Sequence, residues 1–124
     1  MPPETVISIV DDDDAVRRGI KSLLQSLDYI VHTFASAEEF LKSPQLHQTS
    51  CLISDVRMPG VSGLELQARL HAEGHHISVI FVTAHPDGHL RDRAMRSGAI
   101  AFMSKPISEA DLIRCRDRAL KNND

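Results

Sequence analysis

The sequence predicts an α/β protein in one domain, residues 1–124: a five-stranded parallel sheet, doubly wound, with helices on both faces. Two observations predict it. Short β-rich runs alternate with helical periodicities along the whole of the 124 residues, and strands joined through helices close into a parallel sheet. The runs Val6–Val10 and Ser78–Val82 are almost continuously apolar, as strands covered on both faces must be.

The first strand is read at Thr5–Val10. Val16, Ile20, Leu23, Leu24 and Leu27 then fall at i, i+4, i+7, i+8 and i+11, one face of a helix. A second strand at Tyr29–Thr33 precedes a short helix opening at Ser36. There Ser36 and Glu39 have capping-box spacing, each side chain satisfying the other's backbone donor. A third strand, Cys51–Ser54, leads to a helix from Gly63 to about Ala72 that stops near Gly74. The fourth strand, Ile77–Val82, is followed by a helix from Gly88 to Ser97, with Gly98 as its left-handed cap. The fifth, Ala99–Met103, precedes a helix capped by Ser108, with Glu109 and Asp111 in the first turn, where negative charge is favourable. Right-handed crossovers at this length favour strand order 2-1-3-4-5, the flavodoxin-like (βα)5 arrangement.

Composition excludes several classes. Hydrophobic residues make up 42% of the chain, within the usual range for a globular domain. No apolar stretch approaches the roughly 20 residues that span a bilayer. Met-Pro-Pro-Glu-Thr lacks the basic and apolar regions of a signal peptide, so a cytoplasmic protein without membrane attachment is expected. Cys51 and Cys115 sit in apolar-patterned segments and read as reduced core thiols. Residues 1–87 carry six Lys/Arg against twelve Asp/Glu, whereas residues 88–124 carry eight against five. Four consecutive aspartates in the acidic part argue against direct nucleic-acid binding, because phosphates need cations. The basic last third reads as a solvated helix face or a docking surface for an acidic partner. His71/His75 and His85/His89 are each four residues apart, but without an HExxH pattern they read as neutral surface histidines, not a zinc site.

Ligands of an open parallel sheet sit outside the carboxyl ends of its strands. Asp11–Asp14 follow the first strand, Asp55 the third, Thr83 the fourth and Lys105-Pro106 the fifth. Three acids, a hydroxyl and an ammonium therefore converge on one edge. Asp11, Asp12 and Asp55 would repel one another unless a hard divalent cation joined them, which points to Mg²⁺, with Mn²⁺ as a substitute. Aspartate can act as a nucleophile toward phosphorus, and cation and lysine would stabilise the charge spreading over the phosphoryl oxygens. Thr83 offers a hydroxyl to one of those oxygens. Asp13 and Asp14 read instead as helix cap and first turn.

Val10-Asp11-Asp12, Asp55-Val56-Arg57-Met58-Pro59-Gly60, Thr83-Ala84 and Lys105-Pro106 resemble the signature of response-regulator receiver domains. Phe34-Ala35-Ser36-Ala37-Glu38-Glu39-Phe40-Leu41, Ser62-Gly63 and Thr83-Ala84-His85 are most similar to the FixJ-like branch. The resemblance covers essentially the whole chain. It implies a phosphoacceptor at Asp55, supplied by a histidine kinase or phosphotransfer protein. It also implies Mg²⁺ held by Asp12, Asp55 and the backbone carbonyl of Arg57, with Asp11 acting through water. Thr83 matches the switch hydroxyl, Lys105 the phosphate-pairing lysine and Phe102 the aromatic switch residue. Arg57 and His85 match positions that adjust phosphoryl lifetime.

Some positions depart from that pattern. Arg116 shares a helix face with Leu112, Ala119 and Leu120, where an aliphatic residue is usual, and Ala101 replaces an acid. Both fall on the face such receivers use to dimerise, leaving monomer and phosphorylation-dependent dimer as alternatives. The 124 residues hold no helix-turn-helix pattern of their own, and Asn122-Asn123-Asp124 reads as a frayed end or the start of a linker. Control of transcription through an output domain therefore competes with a stand-alone receiver serving a partner protein as phosphorelay shuttle or phosphate sink. A phosphohydrolase would need an acid where Arg57 stands, and a flavin module would need phosphate-cradling residues where the four aspartates stand.

Overall fold

Each β-rich run forms a strand and each strand is followed by a helix. In chain order these are β1 (Val6–Val10), α1 (Asp14–Ser26), β2 (Ile30–Phe34), α2 (Ala37–Lys42), β3 (Cys51–Asp55), α3 (Gly63–Ala72), β4 (Ser78–Thr83), α4 (Gly88–Arg96), β5 (Ala101–Ser104) and α5 (Glu109–Asn122). A 3₁₀ turn, Pro44–Gln48, lies between α2 and β3. The computed structural model describes residues 5–122. Residues 1–4, 123 and 124 and the side chains of residues 116 and 119–122 lie outside that description. So do the readings made of the Met-Pro-Pro-Glu start, of the asparagine-rich end, and of Arg116 beside Ala119 and Leu120.

The five strands form one parallel sheet in the order β2-β1-β3-β4-β5. Successive strand residues face opposite sides, and this sorts the core into two layers. Ile7, Ile9, Cys51, Ile53, Ile80 and Val82 pack with Ile20 and Leu24 of α1 and Leu112 and Cys115 of α5. Val10, Leu52, Val79 and Phe81 pack with Phe40 of α2, Leu66 and Leu70 of α3, and Leu90 and Ala94 of α4. Burying each large side chain of this kind stabilises by about 1.5–3 kcal/mol. Ser8 is the polar exception in β1: it donates to Thr49 Oγ1 at 2.7 Å, because the Thr49 proton goes to the Gln45 carbonyl at 2.8 Å.

The helix ends explain most boundary differences. Asp13 caps α1, accepting from the backbone of Ala15 and Val16. At the end of α4, Gly98 (φ +103°) donates to Met95 O and Ala99 donates to Ala94 O, both at 3.2 Å. This is the pairing of a Schellman cap. It consumes the backbone of Ala99, so β5 starts at Ala101 and not at the expected Ala99. Ser36 accepts from Glu39 N as expected, but the Glu39 carboxylate accepts from Ala35 N at 2.7 Å, one residue before the cap. The reciprocal capping box forms instead at Ser62 and Glu65, at the head of α3. Among the described residues, no helix is long and apolar enough to cross a membrane.

Candidate functional site

Strand register brings the polar residues to one edge. Val10 pairs with both Phe34 and Ser54, so Asp11 leaves β1 beside the end of β3. Asp55 pairs with Val82, and Thr83 pairs with Ser104, one residue before Lys105. Backbone bonds continue the sheet into the loops: Asp11 N donates to Phe34 O (3.1 Å), Val56 N to Val82 O (3.2 Å) and Lys105 N to Thr83 O (2.8 Å). The Lys105–Pro106 peptide is cis.

At this edge Lys105 joins two acids. Its Nζ donates to Asp55 Oδ2 at 3.0 Å and lies 2.8 Å from Asp11 Oδ2. Asp55 Oδ1 accepts from Arg57 N at 3.1 Å, and Asp11 Oδ1 accepts from Asp13 N at 2.9 Å. Arg17 fixes the loop from outside, donating to the Asp11 carbonyl at 2.6 Å and to Asp14 at 3.0 Å. Burial pushes the Asp11 carboxyl above the usual aspartate range and the Asp55 charge adds to this, against the pull of Lys105 and the Asp13 N–H. Burial acts to lower the Lys105 ammonium, but the two carboxylates outweigh it and hold it above the usual lysine range.

The acids fit a hard cation. Asp11, Asp12 and Asp55 each place a carboxylate oxygen within 4.8 Å of the others. Asp11 is 1% exposed, and its Oδ2 shares the Lys105 ammonium with Asp55 Oδ2, at 2.8 and 3.0 Å. One ammonium does not balance three carboxylates, and the charge left over is costly at a largely buried edge unless a further cation meets it. Carboxylate oxygens gathered in this way suit a hard divalent cation such as Mg²⁺, which would take one or two of them directly and keep waters at its other positions.

The remaining predicted residues stand around this cluster. Thr83 is buried, and its Oγ1 accepts from His85 N at 3.2 Å, so the hydroxyl is engaged within its own loop. The His85 side chain is exposed. Arg57 is exposed and reaches Asp87 Oδ2 at 3.6 Å. Phe102 is half-buried, packs against the layer beneath α4, and lines a cleft of about 230 Å³ with Arg91, Met95, Arg114 and Cys115. His71, His85 and His89 are exposed, whereas the His75 ring faces His47 at 5.5 Å. Burial pushes the Cys51 thiol up to about 12 and raises Cys115 as well, and both are free thiols. Arg17 and Asp87 escaped the sequence reading. Only Asp87 left a signal there: it immediately precedes a helix start, and it caps α4 by accepting from Leu90 N at 2.8 Å.

Comparison with known proteins agrees with this geometry. The family model of the response regulator receiver domain matches residues 7–115. Nodulation protein W of Bradyrhizobium diazoefficiens is 41% identical over 110 residues, 89% of this chain and 48% of that protein. Transcriptional regulatory protein FixJ of Azorhizobium caulinodans is 42% identical over 113 residues, 91% of this chain and 54% of that protein. The chain thus spans about half the length of these curated relatives. Among solved structures, the response regulator StyR superposes with a TM-score of 0.88 at 42% identity, covering 97% of this chain and 61% of that one. FixJ-N superposes with a TM-score of 0.85 at 30% identity, covering 97% and 96%. With the parallel sheet, the acidic edge and the matched 7–115 span in agreement, the chain belongs to the response regulator receiver family, as the FixJ-like receiver domain of a two-component response regulator.

Proposed function

We propose that Asp55 is the phosphoacceptor of this receiver. One observation carries the reading: a single ammonium, Lys105, spans Asp11 and Asp55 while a third carboxylate, Asp12, stands within 4.8 Å. Such a pocket concentrates negative charge at one nucleophilic oxygen and keeps a cation ready for the phosphoryl group. A carboxylate oxygen of Asp55 bonds to phosphorus as the P–N bond of a phosphohistidine breaks, and the electron pair leaves with the imidazole nitrogen. The donor is a histidine kinase or phosphotransfer protein in the cytoplasm. Mg²⁺, with Mn²⁺ as substitute, would be held by Asp12, Asp55 and the Arg57 carbonyl, with Asp11 through water, and would neutralise charge on the phosphoryl oxygens. Lys105 pairs with one phosphoryl oxygen. The Thr83 hydroxyl, whose oxygen accepts from His85 N, donates its own proton to another.

A phosphoryl group brings about −1.5 to −2 charges and three acceptors, and the loop after Thr83 repacks with Phe102 as one of two states gains that stabilisation. Arg57 and His85, at the rim, set the acyl phosphate's lifetime. The reaction is confined to the domain's own phosphorylation and dephosphorylation. Because the relatives are about twice as long and FixJ of A. caulinodans is a transcriptional regulator by name, the favoured output is transcription through a further domain.

Incubation with acetyl phosphate and Mg²⁺, read by intact mass, tests the assignment. The wild type gains the mass of one phosphoryl group, and Asp55→Asn gains none. An equal gain in both moves the acceptor elsewhere.

A further inference from the structure

One ion pair at the rim joins two loops on either side of the phosphoacceptor. Arg57 gives its backbone N–H to Asp55 Oδ1 at 3.1 Å, and its guanidinium Nη2 lies 3.6 Å from Asp87 Oδ2. The other oxygen of the same carboxylate, Asp87 Oδ1, accepts from Leu90 N at 2.8 Å and caps α4. Asp87 therefore ties the loop after Asp55 to the first turn of the helix after Thr83.

That guanidinium has two possible partners. In the structure it is with Asp87, in a pair whose side chains are 64% and 52% exposed. Pairs so exposed and so long are held loosely. An anion seated on Asp55 would offer it several acceptor oxygens and a higher charge, and guanidinium matches phosphate-like groups in shape as well as charge. We propose that Asp87 is a positioning residue for the chemistry at Asp55: it holds Arg57 away from the acceptor, and an anion there takes Arg57 from it. The cap on α4 stays in place, but the link between the Asp55 loop and α4 is broken. Loading of the acceptor is thereby communicated to α4 by loss of a contact. The proposal rests on the reading of Asp55 as phosphoacceptor.

Competition for one cation makes the coupling measurable. If Asp87 and the anion exclude each other from Arg57, removing the Asp87 charge must tighten anion binding, and only while Arg57 is present. Asp87→Asn is suitable because asparagine caps helices as well as aspartate does. Beryllofluoride, an anionic mimic of the phosphoryl group, is titrated in Mg²⁺ by ¹⁹F NMR into the wild type, Asp87→Asn, Arg57→Gln and the double variant. Asp87→Asn is expected to bind about two- to fivefold more tightly at low salt, the range of an exposed pair. The gain should fade toward 1 M salt and be absent between Arg57→Gln and the double variant. An unchanged melting temperature for Asp87→Asn separates this effect from loss of the cap. Equal tightening in the Arg57→Gln background would overturn the proposal, since Asp87 would then repel the anion directly, and so would no tightening at all. Failure of the wild type to bind beryllofluoride would overturn the phosphoacceptor reading itself, and this proposal with it.

Discussion

Burial holds the Asp11 carboxyl above the usual aspartate range even though Lys105 Nζ is 2.8 Å away. The folded chain thus takes a proton there more readily than the unfolded chain does. The contribution of Asp11 to stability is fully present below the ordinary aspartate value and is lost as pH rises through the raised one. Above that value the ionised side chain is a load on the fold. Lys105 is also raised, so its contribution persists through neutral pH and is lost only in the alkaline range above the ordinary lysine value. Asp11→Asn imitates the neutral form. It is expected to raise the melting temperature of the metal-free protein by a few degrees, the shift that about 1 kcal/mol gives in a domain of this length. The same change should weaken Mg²⁺ binding, and thermal melts with and without Mg²⁺ read both effects. A lower melting temperature without metal would mean that the ion pair with Lys105 outweighs burial. Asp11, Asp12, Asp55, Thr83 and Lys105 were legible as an edge cluster in the sequence because each lies at or just beyond the carboxyl end of a strand of a parallel sheet, a position that itself implies a ligand edge. Arg17 was not, since its main partner is a backbone carbonyl and helical periodicity says nothing of that. Asp87 precedes a helix start, a cap signal that the sequence reading passed over, and its pairing with Arg57 is a contact between loops distant along the chain.

Among the elements, the head of α3 is bound closely to the site. Gly63 N donates to Val56 O at 2.9 Å, and a Cβ at Gly63 would stand 2.3 Å from Asp55 O and 3.0 Å from Val56 Cα. Both obstacles are backbone, so no side chain can rotate away. Gly63→Ala must push α3 off the end of β3 and is expected to cost about 1–3 kcal/mol, as overpacking does. Asp55 is expected to shift with it, and the phosphorylation proposed there to slow. Gly88 opens α4 with nothing within 4 Å of its Cβ position, so Gly88→Ala should leave stability unchanged or slightly higher. Urea denaturation of the two variants makes the comparison, and equal midpoints would show that the α3–β3 junction yields freely. The close approach at Gly63 could not be read from the sequence, whereas the helix it begins could. Likewise the spacing at Ser36 and Glu39 was visible, but Glu39 reaches Ala35 because the direction of the entering chain decides which N–H it meets. The 3₁₀ turn Pro44–Gln48 has no hydrophobic period, and its buried anchor, Ser8 on Thr49, comes from a distant strand.

Over the whole molecule, strand order and layering were legible because handedness and chain length leave few ways to cover a parallel sheet on both faces. How firmly each helix is held depends on packing that no pattern discloses, and the two cysteines can report it. Cys51 lies in β3, between β1 and β4, whereas Cys115 lies on α5, and both face the same layer. Burial raises both thiols, so neither offers thiolate at neutral pH while it stays covered. Cys51 points from the middle of the sheet into the layer that both α1 and α5 cover, so exposing it requires both helices to leave the sheet, which amounts to unfolding the domain. Exposing Cys115 requires only that α5 lift from β4 and β5, an opening of the sub-global kind. In urea below the main transition, iodoacetamide should therefore modify Cys115 at least about tenfold faster than Cys51, the ratio that a 1.4 kcal/mol difference in opening free energy gives. Peptide mapping by mass resolves the two sites. Equal rates with equal urea dependence would make α5 part of one cooperative unit with the sheet. The stability of α5 bears on the proposed switch because Phe102, packed in the layer beneath α4, lines one cleft at the β5 edge with Met95 of α4 and Cys115 of α5. If Phe102 exchanges positions when Asp55 is loaded, as proposed, the helices bordering that cleft must yield without unfolding the strands that hold the acidic pocket.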